Sequence, residues 1–178
     1  MKIDSSKYPL TLSKQSIEKF ILALAKILAV LGGTILILMV LVNIVSITGR
    51  ITIGVPLIGD FELIELACGT SIFMFLPICK LKNGNIIVDA FTLKFDHRKT
   101  MVLDILSDLV FGVIALFFSH RMVFGLLDMM RYNEQTMLLE LPIWIPFGPA
   151  VFSLFFLALV CFWSGLTKLQ DLFFIRET

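Results

Sequence analysis

ILAVLGGTILILMVLVNIVSITG, residues 27–49, contains no Asp, Glu, Lys or Arg. It exceeds the ~20 residues that an α-helix needs to cross the ~30 Å apolar core of a bilayer. Three more uncharged stretches follow at 66–79, 109–120 and 141–167. The last is long enough to span unaided. The middle two reach full length only by taking in Glu62, Glu65, Asp104, Asp108 or Arg121 at their ends. An ionisable residue at membrane depth marks a place where function or a specific partner is expected. The fold class that follows is an all-α integral membrane protein with four transmembrane helices and short interfacial amphipathic helices.

Composition agrees. Hydrophobic residues make up 58% and charged residues 16% of the chain, with a mean hydropathy of +0.95. A soluble domain carries about 25% charged residues. A formal net charge of +1 offers no electrostatic basis for nucleic acid binding. The distribution of charge says more. Lys2, Lys7, Lys14, Lys19 and Lys26 precede the first span, and Lys80, Lys82, Lys94, Arg98 and Lys99 lie between the second and third. Lys168 and Arg176 follow the fourth, leaving only Arg50, Arg121 and Arg131 toward the opposite side. The positive-inside rule then puts both termini and the 80–100 loop in the cytoplasm.

The expected organisation is a cytoplasmic tail and amphipathic segment at 1–26, a membrane domain at 27–167 and a cytoplasmic tail at 168–178. The spans fall at about 27–49, 60–80, 101–127 and 143–166. Within 12–26, Ile17, Phe20, Ile21 and Leu24 recur at helical spacing, with Lys14, Gln15, Glu18 and Lys19 on another face. Such a segment either lies in the headgroup plane or simply begins helix 1. Asp4 and Glu18 in the N-terminal region and the long apolar run argue against a cleavable signal peptide, so helix 1 is expected to remain as an anchor. IIVDAFTLKF at 86–95 reads as a short interfacial helix. Trp144 and Trp163 are about 28 Å apart along a helix, the separation of the two bilayer interfaces.

Polar residues near the spans have bland explanations beside sharper ones. Glu62 and Glu65 sit one turn apart at the start of helix 2, where the helix dipole favours carboxylates. The sharper expectation is that Arg50, at the end of helix 1, pairs with one of them. Ion coordination by the two carboxylates lacks further oxygen ligands. Asp104 and Asp108 read as dipole compensation at the start of helix 3, supported by Arg98 and Lys99. Asn43 is expected to hydrogen-bond between helices, and Ala25, Ala29 and Gly33 form a small-residue strip that admits a neighbouring helix.

No HExxH, GxSxG or P-loop occurs, so no catalytic constellation emerges. The three cysteines form no C-x-x-C, and two histidines do not supply the facing pairs of a haem b bundle. No cofactor or metal is expected. A small proton-coupled exporter needs a mid-span carboxylate, which helix 1 lacks. The chain also lacks the internal repeat and broken helices of a self-sufficient transporter, which points to a subunit.

Four motifs carry a resemblance. IVSITGR at 44–50 closes helix 1, GDFELIEL at 59–66 opens helix 2, KNGNIIVDAF at 82–91 follows helix 2, and LPIW at 141–144 leads into helix 4. Their order and spacing resemble the small, DctQ-type membrane subunit of TRAP (tripartite ATP-independent periplasmic) transporters, over residues from about 20 to 167. Within that pattern Arg50 matches the Arg closing helix 1, and Glu62 or Glu65 the acidic residue opening helix 2. Gly84 and Asp89 match the Gly and Asp flanking the turn after helix 2, and Pro142 and Trp144 the residues before helix 4. Asn85 departs from the His found in many members. The resemblance implies a scaffold in the inner membrane of a bacterium or archaeon. Its implied partners are a large membrane subunit carrying sodium-coupled transport, a periplasmic binding protein that delivers an organic acid, and membrane lipid.

Overall fold

The computed structural model describes residues 12–54, 57–82 and 97–176. They form four helices: α1 Leu12–Thr52, α2 Asp60–Leu81, α3 His97–Arg131 and α4 Trp144–Arg176. All four are long and apolar enough to cross a membrane. The expected interfacial helix at 86–95, together with Gly84 and Asp89, lies outside the described residues.

Each helix runs past the uncharged stretch that announces it. Charge marks where the hydrocarbon ends, whereas backbone hydrogen bonding continues into the headgroups. At 41 residues α1 is about 60 Å long, twice the apolar thickness. Its start at Leu12 decides between the two alternatives for 12–26: the segment is the beginning of helix 1. Only α2, at 22 residues and about 33 Å, matches the bilayer closely.

The helices pack in the order α1, α2, α4, α3. Two apolar clusters fill the joints. Ala25 and Leu28 of α1 meet Met74 of α2 and Phe156 and Val160 of α4. Ala115 of α3 meets Leu154, Leu157, Ala158 and Cys161 of α4. In bilayers such packing rests on van der Waals fit and close approach, since lipid is as apolar as leucine. Gly32 provides one close approach. A Cβ there would lie 3.2 Å from Met74 Cβ and 3.4 Å from the Ser71 carbonyl oxygen. The strip on α1 is therefore Ala25, Leu28 and Gly32, whereas Ala29 and Gly33 are half-buried. Strict four-residue spacing drifts ahead of the 3.6-residue helical turn, which accounts for the difference.

The α2–α4 seam handles an awkward proline. Pro77 has no N–H, so the Phe73 carbonyl one turn earlier loses its helical donor. In lipid such a group must find a replacement. The fully buried Ser153 of α4 supplies it, its hydroxyl donating to the Phe73 oxygen at 2.7 Å. Nearer the start of α2, the buried Thr70 hydroxyl lies 2.9 Å from the Pro146 carbonyl of α4 and 2.8 Å from its own Leu66 carbonyl. Ser153→Ala should destabilise the protein by about 1–2 kcal/mol, the loss of a hydrogen bond whose acceptor stays buried. In a Pro77→Ala background, residue 77 regains an N–H for Phe73, and Ser153→Ala should then cost much less. Unfolding of the four variants in mixed micelles measures this. Equal costs in both backgrounds would exclude the substitution of one donor for the other.

Candidate functional site

Polar contacts collect at the two ends of the membrane region. At the first end, α1 meets α2. Gly59 caps α2 with φ 81°, a left-handed conformation that side chains resist. It is also crowded from outside: a Cβ here would come within 2.7 Å of Leu139 Cδ1. Next to it Asp60 is buried, accepting the Ser46 hydroxyl of α1 at 2.5 Å and its neighbour's amide, Phe61 N–H, at 2.9 Å. Ser46 belongs to the IVSITGR segment and Asp60 to GDFELIEL, so the two motifs meet through one hydrogen bond.

Glu62 turns the other way. Its two carboxylate oxygens accept the backbone N–H groups of Leu138 and Leu139 at 2.9 and 3.1 Å. Those residues belong to the connection between α3 and α4, which folds back on itself as a hairpin bridged between Gln135 and Pro142. Pro142 thus closes the hairpin neck, its carbonyl accepting the Ile145 N–H at 3.3 Å, and Trp144 begins α4. Gly59 and Glu62 together seat this hairpin on α2.

The expected pairing of Arg50 with Glu62 or Glu65 is not what the structure shows. Arg50 and Glu65 are exposed, and among the described residues Arg50 makes no ion pair. The physical reason is that Glu62 is saturated by backbone donors while Glu65 points away from the protein. The α1–α2 junction exists but is made by Ser46 and Asp60. Asn43 makes no side-chain hydrogen bond among the described residues; Ser46, about one turn further on, makes the interhelical contact.

At the second end, three helices converge on Asp108. Lys80, at the end of α2, forms an ion pair with its Oδ1. Lys168 of α4 approaches Oδ2 to 3.1 Å, and the Ser164 hydroxyl donates to the same oxygen at 2.8 Å. The Asp108 and Lys80 side chains are only 3% and 8% exposed, whereas Lys168 is 30% exposed. The expectation for Asp108, dipole compensation supported by the loop, is therefore corrected. Because α3 begins at His97, Asp108 lies about three turns inside it, where the dipole effect has faded. Desolvating a carboxylate there requires real partners. A signal was present in the sequence. Asp108, Gly112, Ala115 and Ser119 are small or polar at helical spacing, and Asp108, Ala115 and Ser119 are all buried. Gly112 lets α4 approach, its Cβ position lying 3.2 Å from Cys161 Cβ.

Among the described residues no group of three or more His, Cys, Asp or Glu is placed to hold a metal ion. What these arrangements do chemically is fasten helices together. Gly59→Ala should cost about 1–3 kcal/mol for the left-handed backbone alone, with further loss from the clash with Leu139. In a Leu139→Ala background only the clash should be relieved. Thermal melts of the single and double variants separate the two costs, and complete recovery would exclude the backbone contribution.

No match was found among curated proteins or solved structures. A family model, described as Tripartite ATP-independent periplasmic transporters, DctQ component, matches residues 36–170. That segment holds the Ser46–Asp60 contact, the hairpin on Glu62 and the Asp108 cluster. With most of its length inside the matched region, this chain belongs to the DctQ family, the small membrane component of tripartite ATP-independent periplasmic transporters.

Proposed function

We propose that this chain is the non-transporting scaffold of a sodium-coupled transporter that imports an organic acid. It works beside a large membrane subunit that carries the transport path, and a periplasmic binding protein delivers the substrate. Both termini face the cytoplasm of a bacterium or archaeon, as the basic residues clustered at the Lys80 end favour. The family is a transporter component rather than an enzyme.

One observation carries the scaffold role. The buried charged side chains among the described residues are Asp60, Lys80 and Asp108. Asp60 joins α1 to α2, while Lys80 and Asp108 join α2, α3 and α4. Each is engaged inside the protein, whereas a transport site keeps polar groups at the midplane for its cargo. Arg50 and Glu65, exposed at the first end, are then available to a partner. The membrane-facing side of α1 carries Val30, Ile37, Val40, Leu41, Ile44 and Val45, all exposed.

Affinity purification of the tagged chain from native membranes, in mild detergent, tests the assignment. A large polytopic membrane protein should copurify in fixed ratio and be identified by mass spectrometry. Recovery of the chain alone under conditions that preserve other membrane complexes would refute the scaffold.

A further inference from the structure

The hairpin between α3 and α4 has unusual accounting for a loop. The Thr136 amide donates to the Leu141 carbonyl at 3.0 Å, and the Ile143 amide to the Glu134 carbonyl at 3.2 Å. The Leu141 amide reaches the Thr136 hydroxyl at 3.1 Å, and Glu62 takes the amides of Leu138 and Leu139. Four of the six amides from Thr136 to Leu141 are thus paired inside the protein, an arrangement that suits a loop set against lipid, where each unpaired donor is costly.

Its side chains show the reverse pattern. Met137 is 95% exposed and Leu138 63%. Beside them, across the Glu62 bonds and the Gly59–Leu139 contact, stand Ile58 at 70% and Phe61 at 71%. Asn133, Glu134 and Gln135 of the neck are exposed, and Glu140 is exposed where the chain leaves the tip. The apolar part of the tip is Met137, Leu138 and Leu139, bracketed by polar residues.

Depth follows from length. With α2 about 33 Å long and the apolar core about 30 Å thick, an upright α2 centred in the bilayer brings its two ends to the two hydrocarbon boundaries. Glu62 lies in the first turn of α2 and ties the tip to that level. Exposed apolar groups held at a hydrocarbon boundary continue the lipid-facing surface of the helices.

We propose that the Met137–Leu138 tip, together with Ile58 and Phe61, is seated in the bilayer itself, among acyl chains just beneath the headgroups at this end. Glu62 is the tether that holds it there. The hairpin acts as an interfacial anchor that fixes the depth of α2 and α4. This assignment rests on backbone pairing, apolar exposure and helix length, and is independent of what the transporter carries.

Single cysteines introduced by Met137→Cys and Glu134→Cys, with Cys68, Cys79 and Cys161 replaced by Ala, provide the test. Each full-length chain is labelled with an environment-sensitive fluorophore and placed in phosphatidylcholine–phosphatidylglycerol nanodiscs, where both faces are accessible. The probe at 137 should emit to the blue of that at 134. Lipids brominated high on the acyl chain should quench it several-fold more, and aqueous iodide several-fold less. Equal iodide quenching at the two positions overturns the proposal. So does protection of position 137 from both quenchers, which would show a protein surface, such as a second copy, covering the tip. Adding Glu62→Ala should lower lipid quenching at 137 and raise iodide quenching; an unchanged lipid signal would refute the tether.

Discussion

Proteoliposomes that contain this chain alone should show no sodium-driven uptake of organic acid, even with the binding protein supplied. Proteoliposomes that contain it together with its large membrane partner should show uptake. Omitting the chain while keeping the partner should abolish it. The expectation follows from where the buried charges go: Asp60 toward Ser46, and Lys80 toward Asp108. A subunit whose buried charged groups, among the described residues, are engaged in internal joints contributes by holding a partner in working geometry, so its loss affects turnover rather than substrate choice. Uptake measured with labelled substrate under a sodium gradient, and again with the gradient collapsed, separates transport from leakage. Uptake by this chain alone, or full activity of the partner without it, would overturn the division of labour.

Asp108→Ala should be the most damaging single substitution for stability. Removing one partner of a buried pair costs about 3–5 kcal/mol, because the remaining charge stays desolvated. The two cations left behind are not equivalent. Lys168, 30% exposed, can turn toward the headgroups, whereas Lys80 at 8% has little freedom to do so. Lys80→Met in the same chain should therefore restore most of the loss, while Lys168→Met should restore little. Alone, Lys168→Met should cost about 1 kcal/mol or less. Circular dichroism during unfolding in mixed micelles measures all four variants. Two results would sink the interpretation: an Asp108→Ala chain as stable as the parent, or no recovery with Lys80→Met.

Much of the architecture was legible because hydrocarbon imposes a simple rule. Uncharged stretches of sufficient length become spans, and the four helices follow the expected order. Their ends were less legible, since α1 begins at Leu12 and α4 continues to Arg176, well into charged sequence. The candidate site divides along a similar line. Glu62 stands out by position, but its partners are amides in a hairpin about 76 residues away. Backbone donors carry no side-chain signature, so the sequence points to the nearby cation Arg50, whereas the structure gives Glu62 the Leu138 and Leu139 amides. The charges at Asp104 and Asp108 suggest a helix start close to them, whereas α3 begins at His97 and carries Asp108 into its interior. The stitch between Ser153 and Phe73 was invisible for another reason. Pro77 announces an orphan carbonyl, but nothing in the sequence says which neighbouring helix answers it.

The Asp108 cluster also imposes an order in time. Lys80 is synthesised 28 residues before Asp108, and Ser164 follows Asp108 by 56. At roughly 5–20 residues per second, seconds separate these arrivals. A nascent chain that has released only α1 and α2 holds a lysine with no counter-charge and must keep it among the headgroups. The arrival of α3 offers a carboxylate, and only the emergence of α4 brings the hydroxyl and second ammonium that complete its coordination. The last helix made is also the most enclosed, and α3 packs chiefly against it, so α3 gains most of its neighbours only when α4 arrives. A chain cut short before Ser164 would hold the Lys80–Asp108 pair without the hydroxyl and the second ammonium that surround Asp108 in the finished protein.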